Sequence, residues 1–250
     1  MSFSVAIVGA TGRLGAVVAE VVEAMPEAEL VASLSSKDPL ERAFVADVVV
    51  DVTTPAVSSE IVLAAIAAGR RVLVGTSGWC EERIARLRTA VRERPGSGAV
   101  VIPNFSLGSV LGTAFSAIAA RYFDSAEIVE AHHAGKVDSP SGTAVRTAEL
   151  MAAQRGERGP FAAPHVDQRA RGQEAGSVPI HSLRLAGVVA RQDVIFGGVG
   201  ETLTITHDTV SSSAYQSGIR TALLAAADAR DEVVVGLGAV LGIDESLGLA

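Results

Sequence analysis

The sequence predicts an α/β fold in which a doubly wound parallel sheet carries an inserted second domain of the α+β type. Short apolar runs alternate with helical stretches as far as Phe105, and a glycine-rich loop follows the first of these runs. Beyond Phe105 the alternation stops, and three strand-like runs later follow one another closely before a final helix. Strands that alternate with helices indicate right-handed crossovers and a parallel sheet, whereas strands in succession indicate an α+β domain. We therefore expect one domain over residues 1–105 and 216–250 and a second domain over residues 106–215.

The glycine-rich loop is the first functional signal. Ser4 to Val8 reads as a buried strand, Gly9-Ala10-Thr11-Gly12-Arg13-Leu14-Gly15 follows it, and an amphipathic helix continues to about Met25. Glycines let a backbone approach a pyrophosphate, which the N-terminus of the helix then binds. Such a loop also occurs for packing reasons alone, but its place between a strand and a helix favours a Rossmann-type dinucleotide site.

The end of the second strand indicates which cofactor is used. Glu29 to Leu34 reads as this strand, and Ser35, Ser36 and Lys37 follow it, with no carboxylate before Asp38. An NAD site usually has Asp or Glu here, and this group would repel the 2′-phosphate of NADPH. Serine hydroxyls and a lysine would bind that phosphate. The sequence thus favours NADPH over NADH, although Lys37 as an ordinary loop residue, with both cofactors accepted, stays open.

The remaining strands of the first domain lead to further loops at the same edge of the sheet. Val48 to Val52 is apolar except for Asp51, and a helix is expected to begin at Thr54-Pro55, with Pro55 in its first position. Further on, the pattern predicts strands over 71–74 and 99–102 and helices over 81–94 and 107–122. A surface loop is expected over 154–176, followed by strands over 178–185, 189–196 and 201–207 with a hairpin turn at 197–200. A helix over 215–227 and an apolar segment over 233–241 are then expected to return the chain to the first domain. Ligands of such sheets bind beyond the carboxyl ends of the strands.

One short segment of the second domain combines proton donors with anion-binding groups. Ser125 to Ala131 alternates like a strand that delivers His132 and His133 to opposite faces, and Lys136 comes shortly afterwards. Ser141-Gly142-Thr143 then opens a helix to about Gln154, whose free N–H groups can bind an anion. A structural interpretation, with buried histidines, a solvated lysine and a serine that only caps a helix, also fits a lone His-His pair.

The whole segment resembles a known family. Its pattern Glu-x-His-His-x-x-Lys-x-Asp-x-Pro-Ser-Gly-Thr-Ala, over residues 130–144, matches at every fixed position the substrate-binding signature of dihydrodipicolinate reductase, also called 4-hydroxy-tetrahydrodipicolinate reductase. Gly75-Thr76-Ser77-Gly78 and Pro103-Asn104-Phe105-Ser106 resemble two further segments of that family, and the resemblance extends over nearly the whole chain.

The resemblance implies the reduction of 4-hydroxy-tetrahydrodipicolinate, a cyclic dicarboxylate, in diaminopimelate and lysine biosynthesis, by a homotetramer built through its substrate-binding and oligomerisation domain. His132 would be the acid/base and Lys136 a second proton donor. The substrate-binding residues would be His133, Lys136, Ser141, Gly142 and Thr143. The cofactor-binding residues would be Gly9, Ala10, Thr11, Gly12, Arg13, Leu14, Ser35, Ser36, Lys37, Gly75, Thr76, Ser77, Ile102, Pro103, Asn104 and Phe105.

Composition excludes several other classes of protein. A net charge of -7 argues against a nucleic-acid partner, and the single cysteine, Cys80, excludes an internal disulfide framework. No apolar stretch is long enough for a membrane span, no metal site is visible, and the N-terminus lacks the features of a signal peptide, so we expect a cytoplasmic protein.

Two departures from the family leave alternatives open. Arg191 stands where the family has a histidine in its penultimate strand, and Ser211-Ser212-Ser213 stands where an arginine often follows the last strand. These changes allow a related reductase of another cyclic imine or unsaturated cyclic carboxylate. A sensor that binds NADPH without turnover is a third hypothesis, against which the presence of both His132 and Lys136 argues.

Overall fold

A computed structural model describes residues 2–248 of the chain. It divides into two compact units. The first unit runs to Leu107 and resumes over Ser212–Leu241, and the second unit comprises Gly108–Ser211 and the residues from Gly242 onwards. The second unit is thus inserted into the first, and the fold class predicted from the sequence is confirmed. The predicted domain limits at Met1 and Ala250 lie outside the described residues.

The first unit is built on a six-stranded parallel sheet. Its strands are β1 (Phe3–Val8), β2 (Ala28–Leu34), β3 (Val48–Asp51), β4 (Arg71–Val74), β5 (Gly98–Val101) and β11 (Val233–Val235), in the spatial order β11-β5-β4-β3-β1-β2. Its helices are α1 (Arg13–Glu23), α2 (Ser58–Ala67), α3 (Glu81–Glu93), α6 (Gln216–Asp228) and α7 (Leu237–Val240). Because all of these strands are parallel, the ends that follow β1 to β5 lie at one edge of the sheet.

Helices cover both faces of this sheet, which explains the nearly continuous apolar strands of the sequence. Val48, Val49 and Val50 of β3 are all fully buried, although successive side chains of a strand point to opposite faces. Helices α2 and α3 pack with alternate strand residues in one core cluster, and α1 contacts α6. Burial of each such valine contributes about 1.5–3 kcal/mol.

The second unit has a five-stranded mixed sheet with a core on one face. Its strands are β6 (Ser125–His133), β7 (Gln173–Ala175), β8 (Val178–Leu185), β9 (Ala190–Gly198) and β10 (Glu201–Thr209), in the order β10-β9-β6-β8-β7. Its helices are α4 (Leu107–Ala119), which begins at the last residue of the first unit, α5 (Gly142–Gln154) and α8 (Ile243–Ser246). Ile128, Val194 and Phe196 point from the sheet into a core with Ala148 and Met151 of α5.

The structure differs from the sequence-based expectation at four elements. Helix α2 begins at Ser58 rather than at Pro55, because residues 54–57 form a hydrogen-bonded turn first. The short strand β7 lies within the predicted surface loop, and β11 adds a sixth strand within the apolar segment over 233–241. Residues 242–248 group with the second unit, where Arg121 and Gln154 donate hydrogen bonds to the Gly248 carbonyl.

Within residues 2–248, no helix combines the length and the apolar character that a membrane span requires.

Candidate functional site

The glycine loop after β1 has a backbone that only glycine allows at two positions. Gly9 has a φ of +93°, and a Cβ atom there would lie 2.6 Å from the carbonyl oxygen of Val52. The N–H groups of Gly9 and Ala10 both donate to the Leu34 carbonyl at 3.0 Å. A Cβ atom at Gly15 would overlap the Gly9 carbonyl, so the first turn of α1 can pack closely on the loop.

The N-terminus of α1 fits an anionic group. Its N-cap residue, Gly12, provides no side-chain hydrogen bond, and the first turn contains no acidic residue. The first N–H groups of a helix have no partner within the helix, and the helix dipole adds positive potential there. Thr11, Gly12 and Arg13 are all exposed. The predicted pyrophosphate site is therefore compatible with the backbone and the charges of this loop.

The turn after β2 holds the carboxylate of Asp38 against Ser35, the first residue beyond the strand. Asp38 accepts hydrogen bonds from the backbone N–H (2.9 Å) and the hydroxyl (2.8 Å) of Ser35, and it pairs with Arg42 at 2.8 Å. These hydrogen bonds from Ser35 lower the pKa of Asp38, so the group is ionised. The sequence favoured NADPH because no carboxylate was expected at the end of the strand. The turn places the charge of Asp38 there, and Arg42 partly offsets it.

The predicted residues after β4 and β5 are partly used for packing. Thr76, Ile102 and Phe105 are buried, and a Cβ atom at Gly75 would lie 2.8 Å from the Phe105 ring. Ser77 and Pro103 are exposed, and Asn104 is partly exposed. Both segments follow strands that end at the same sheet edge as β1 and β2. The structure therefore brings the predicted cofactor residues to one edge.

Asp51 is a polar residue in the core whose role the sequence did not indicate. Its fully buried carboxylate accepts hydrogen bonds from the N–H (3.2 Å) and the hydroxyl (2.5 Å) of Thr53 and from the hydroxyl of Ser58. Trp79 donates to the Ser58 oxygen at 2.9 Å. This network joins the loops after β3 and β4 and fixes the start of α2.

In the second unit, β6 extends through both predicted histidines. His132 lies on the same face of the strand as Glu130, and His133 lies on the opposite face. Glu130 has no exposed side-chain surface, whereas His132 is 18% exposed. The two rings therefore differ in role, and His132 is the one that belongs to a buried polar cluster.

This cluster consists of Glu130, His132 and Arg184. The Nδ1 atom of His132 lies 2.6 Å from Oε2 of Glu130, and Arg184 binds both oxygens of the same carboxylate at 3.0 and 2.9 Å. Burial lowers the pKa of His132, although Glu130 opposes this effect. An imidazole with a lowered pKa gives up its proton more readily, which suits it to proton transfer.

The loop and helix after β6 carry the other predicted substrate residues. The ammonium group of Lys136 lies 2.8 Å from both oxygens of Asp138, and its hydrogen bond lowers the pKa of Asp138. The hydroxyl of Ser141 accepts from the N–H of Ala144 at 3.2 Å and thereby caps α5. Ser141 is thus buried in a structural role, while Gly142 is exposed and Thr143 is partly exposed at the start of the helix.

The two departures from the family pattern lie away from this cluster. Arg191 is on the face of β9 opposite to the helices, where it pairs with Asp193 at 2.9 Å and with Asp208 at 3.3 Å. Ser211, Ser212 and Ser213 are exposed. Arg191 thus lies outside the cluster around His132, on the face of the sheet that carries His133.

Asp38, Asp51, Glu130 and Arg184 are the polar residues whose contacts were not foreseen. The shared face of Glu130 and His132 could have been predicted from their spacing of two residues on a strand. Arg184 lies opposite His132 only because β8 pairs with β6, and no local pattern predicts that register. Among residues 2–248, no group of His, Cys, Asp and Glu is arranged to hold a metal ion.

Comparisons with known proteins agree with these features. The profile of the N-terminal part of dihydrodipicolinate reductase matches residues 3–105, and the profile of its C-terminal part matches residues 108–241. A 4-hydroxy-tetrahydrodipicolinate reductase of Clavibacter michiganensis subsp. michiganensis is 59% identical over 246 residues, which cover 98% of this chain and 88% of that protein. A reductase of the same name from Streptomyces griseus subsp. griseus is 46% identical over 223 residues, which cover 86% of this chain and 88% of that protein.

A solved structure with a ligand is also similar to this chain. The dipicolinate-bound dihydrodipicolinate reductase of Paenisporosarcina sp. TG-14 superimposes with a TM-score of 0.82 at 32% sequence identity. The match covers 95% of this chain and 98% of that chain.

Proposed function

The chain belongs to the dihydrodipicolinate reductase family and is an NAD(P)H-dependent reductase that converts 4-hydroxy-tetrahydrodipicolinate to tetrahydrodipicolinate in diaminopimelate and lysine biosynthesis; we propose in addition which of its residues perform this reaction. A nicotinamide cofactor, when bound, supplies the hydride. The chain must then bind a cyclic dicarboxylate and deliver a proton to it. We also propose a cytoplasmic location, where this pathway would find its substrates.

We assign the acid/base role to His132, and its contact with Glu130 is the observation that carries the assignment. The carboxylate 2.6 Å from Nδ1 orients the ring and leaves Nε2 for the substrate. Lys136 supplies a second proton and a positive charge close to the charge that develops in the transition state. In the free protein Asp138 neutralises the positive charge of Lys136. A substrate carboxylate would therefore compete with Asp138 for Lys136.

The substrate carboxylates are assigned to Lys136, Gly142 and Thr143, with Ser141 in a supporting role. His133 lies on the face of β6 opposite to His132, so its predicted contact with the substrate requires the substrate to extend around the end of the strand. Ser141 uses its hydroxyl to cap the N–H of Ala144, which leaves the N–H groups at the start of α5 for an anion. The partly exposed hydroxyl of Thr143 can add a hydrogen bond. The ligand of the similar solved structure, dipicolinate, is a dicarboxylate of this kind.

The cofactor is assigned to the edge of the parallel sheet, with NADPH favoured over NADH. The loop from Gly9 to Leu14 would bind the pyrophosphate, and the segments at 75–77 and 102–105 would lie against the nicotinamide half. Of the predicted residues Ser35, Ser36 and Lys37, the hydroxyl of Ser35 is bonded to Asp38. Ser36 and Lys37, together with the guanidinium group of Arg42, would therefore bind the 2′-phosphate. Asp38 opposes this preference, so the preference is expected to be modest.

A coupled assay tests the proposed function. The preceding synthase would generate the substrate from pyruvate and aspartate semialdehyde, and the loss of reduced nicotinamide absorbance would report turnover. We expect rapid synthase-dependent oxidation, and a decrease of kcat by about 100-fold or more in His132→Gln, because general acid catalysis contributes about 10²–10⁴-fold. His181→Gln is the matched control, since Glu127 binds this ring at 2.7 Å in a similar way.

The results of this assay distinguish the reductase activity of the chain from the role of His132 in it. Absence of oxidation with either cofactor, from folded wild-type protein, would contradict the activity itself. Full activity of His132→Gln would contradict only the role of His132 and would move attention to Lys136.

A further inference from the structure

Glu130 is a buried carboxylate whose hydrogen bonds extend beyond His132 to two other elements. Its Oε2 atom contacts Nδ1 of His132 at 2.6 Å and Nη1 of Arg184 at 3.0 Å. Its Oε1 atom contacts Nη2 of Arg184 at 2.9 Å and accepts from the backbone N–H of Ser141 at 3.2 Å. Strands β6 and β8 and the start of α5 therefore meet at a single side chain.

We propose that Glu130 and Arg184 are positioning residues that fix the tautomer and the orientation of His132 and join this ring to the substrate-binding loop and helix. The proposal rests on the acid/base role of His132 given above. Neither residue is expected to contact the substrate, because Glu130 is completely buried and both guanidinium Nη atoms of Arg184 are bound to it.

The tautomer follows from the chemistry of the carboxylate. Burial alone would raise the pKa of Glu130, but hydrogen bonds from Arg184, Ser182 and His132 outweigh it and hold this pKa below its ordinary value. An ionised carboxylate only accepts hydrogen bonds, so Nδ1 of His132 must carry a proton. In neutral His132 the lone pair is then on Nε2, and the exchangeable catalytic proton is the one on Nε2 of the imidazolium.

Charges from three directions act on the ring. Glu130, on the same strand, favours the imidazolium form, whereas Arg184 on β8 and Lys136 in the following loop disfavour it. Asp138 partly neutralises Lys136 at 2.8 Å, and β9 presents uncharged Ala190 at the register position of His132. Removal of Glu130 and removal of Arg184 should therefore shift the titration of His132 in opposite directions.

The same two residues also connect the ring to the substrate-binding segments. Arg184 donates to the backbone carbonyl of Asp138 at 2.7 Å and so holds the loop that carries Lys136. Glu130 accepts from the N–H of Ser141, which directly precedes Gly142. Loss of Glu130 should thus raise KM for the substrate as well as lower kcat.

Two variants and a matched control test the proposal. In Glu130→Gln, the basic limb of the kcat profile, where His132 loses its proton, should move to lower pH, and kcat should fall by about tenfold or more. In Arg184→Met the same limb should move to higher pH, and Arg184→Lys should restore part of the wild-type profile. Glu127→Gln is the control, because Glu127 binds Arg171 at 2.5 Å and His181 at 2.7 Å on the opposite face of β6; its profile should match the wild type.

NMR of the ring nitrogens, with His132→Gln used to assign the signals, gives a readout that does not depend on activity. We expect neutral His132 with its proton on Nδ1 in the wild-type protein. A proton on Nε2, or shifts of the same sign in Glu130→Gln and Arg184→Met, would overturn the proposal. If Glu130→Gln does not fold, the direction in which Arg184→Met moves the basic limb of the kcat profile tests the proposal: a move to lower pH would overturn it. Full activity of His132→Gln combined with the Nδ1 tautomer would instead contradict the acid/base role and leave the geometry intact.

Discussion

Among single residues, we expect Asp38, at the end of β2, to influence the choice of cofactor. Its carboxylate would accept hydrogen bonds from the ribose hydroxyls of NADH and would repel the 2′-phosphate of NADPH. Asp38→Asn removes this charge and releases Arg42, which Asp38 binds at 2.8 Å. We expect KM for NADPH to fall about threefold to tenfold, an effect of up to about 1.4 kcal/mol, and KM for NADH to rise. Initial rates with both cofactors measure this change.

Asp47 provides a matched control for that variant. It accepts from the N–H and the hydroxyl of Ser4 at 2.9 and 2.8 Å, the same arrangement that Asp38 makes with Ser35. Asp47→Asn should therefore cost similar local hydrogen bonds without a change in the ratio of the two KM values. An unchanged ratio in Asp38→Asn would show that this carboxylate does not face the ribose.

Individual residues also show how far the sequence alone can be interpreted. The alternation of β6 suffices to place His132 beside Glu130, and the glycine loop is recognised from its place between a strand and a helix. Asp38 follows the strand by only four residues, yet its contact with Ser35 depends on the tight turn between them. Arg184 reaches Glu130 across 54 positions of the chain, and only the pairing of β6 with β8 brings the two together.

Among the elements, helix α5 offers a test of the substrate site that separates binding from folding. A Cβ atom at Gly142 would meet nothing within 4 Å, and the backbone there is not in the left-handed region. Gly142→Ala should therefore raise the free energy of unfolding by up to about 1 kcal/mol. If a substrate carboxylate approaches this helix end, the new methyl group should raise KM by about tenfold. Thermal unfolding and steady-state kinetics measure the two effects.

Gly112 of α4 is the control for this variant. A Cβ atom there would lie 3.8 Å from His207, an ordinary contact, so Gly112→Ala should also stabilise its helix but leave KM unchanged. An unchanged KM in Gly142→Ala would mean that the substrate does not reach the start of α5.

The elements that the sequence predicted least well are those determined by distant contacts. Pro55 suggests a helix start, but the bond between Ser58 and Asp51 places that start later. Strands β7 and β11 have three residues each, too few for a periodic pattern. Both lie at the edge of their sheet, and β11 pairs with β5, which is remote in the sequence. The strands and helices that alternate before Phe105 were predicted because each is recognisable from its own residues, as an apolar run or as an amphipathic stretch.

On the scale of the whole molecule, the second sheet has an open face on which neither α4 nor α5 packs within the described residues. The core of this unit lies on the face that carries Ile128, Val194 and Phe196. On the other face, Leu183, Leu185 and Ile195 are 44%, 48% and 37% exposed. Apolar side chains on an open sheet of this kind are typical of an interface. We therefore propose that this face joins copies of the chain in the expected homotetramer.

Ile195→Glu tests this assembly. A carboxylate at this position would be buried in the sheet-to-sheet contact directly opposite the carboxylate of Glu127, which costs several kcal/mol, so the variant should dissociate into smaller species. Light scattering after gel filtration should give about four chain masses for the wild-type protein and a smaller mass for Ile195→Glu. Val45→Glu, at an exposed position in the first unit, should keep the wild-type mass. A monomeric wild-type protein would contradict the tetramer, and an intact tetramer in Ile195→Glu would place its interface on another surface.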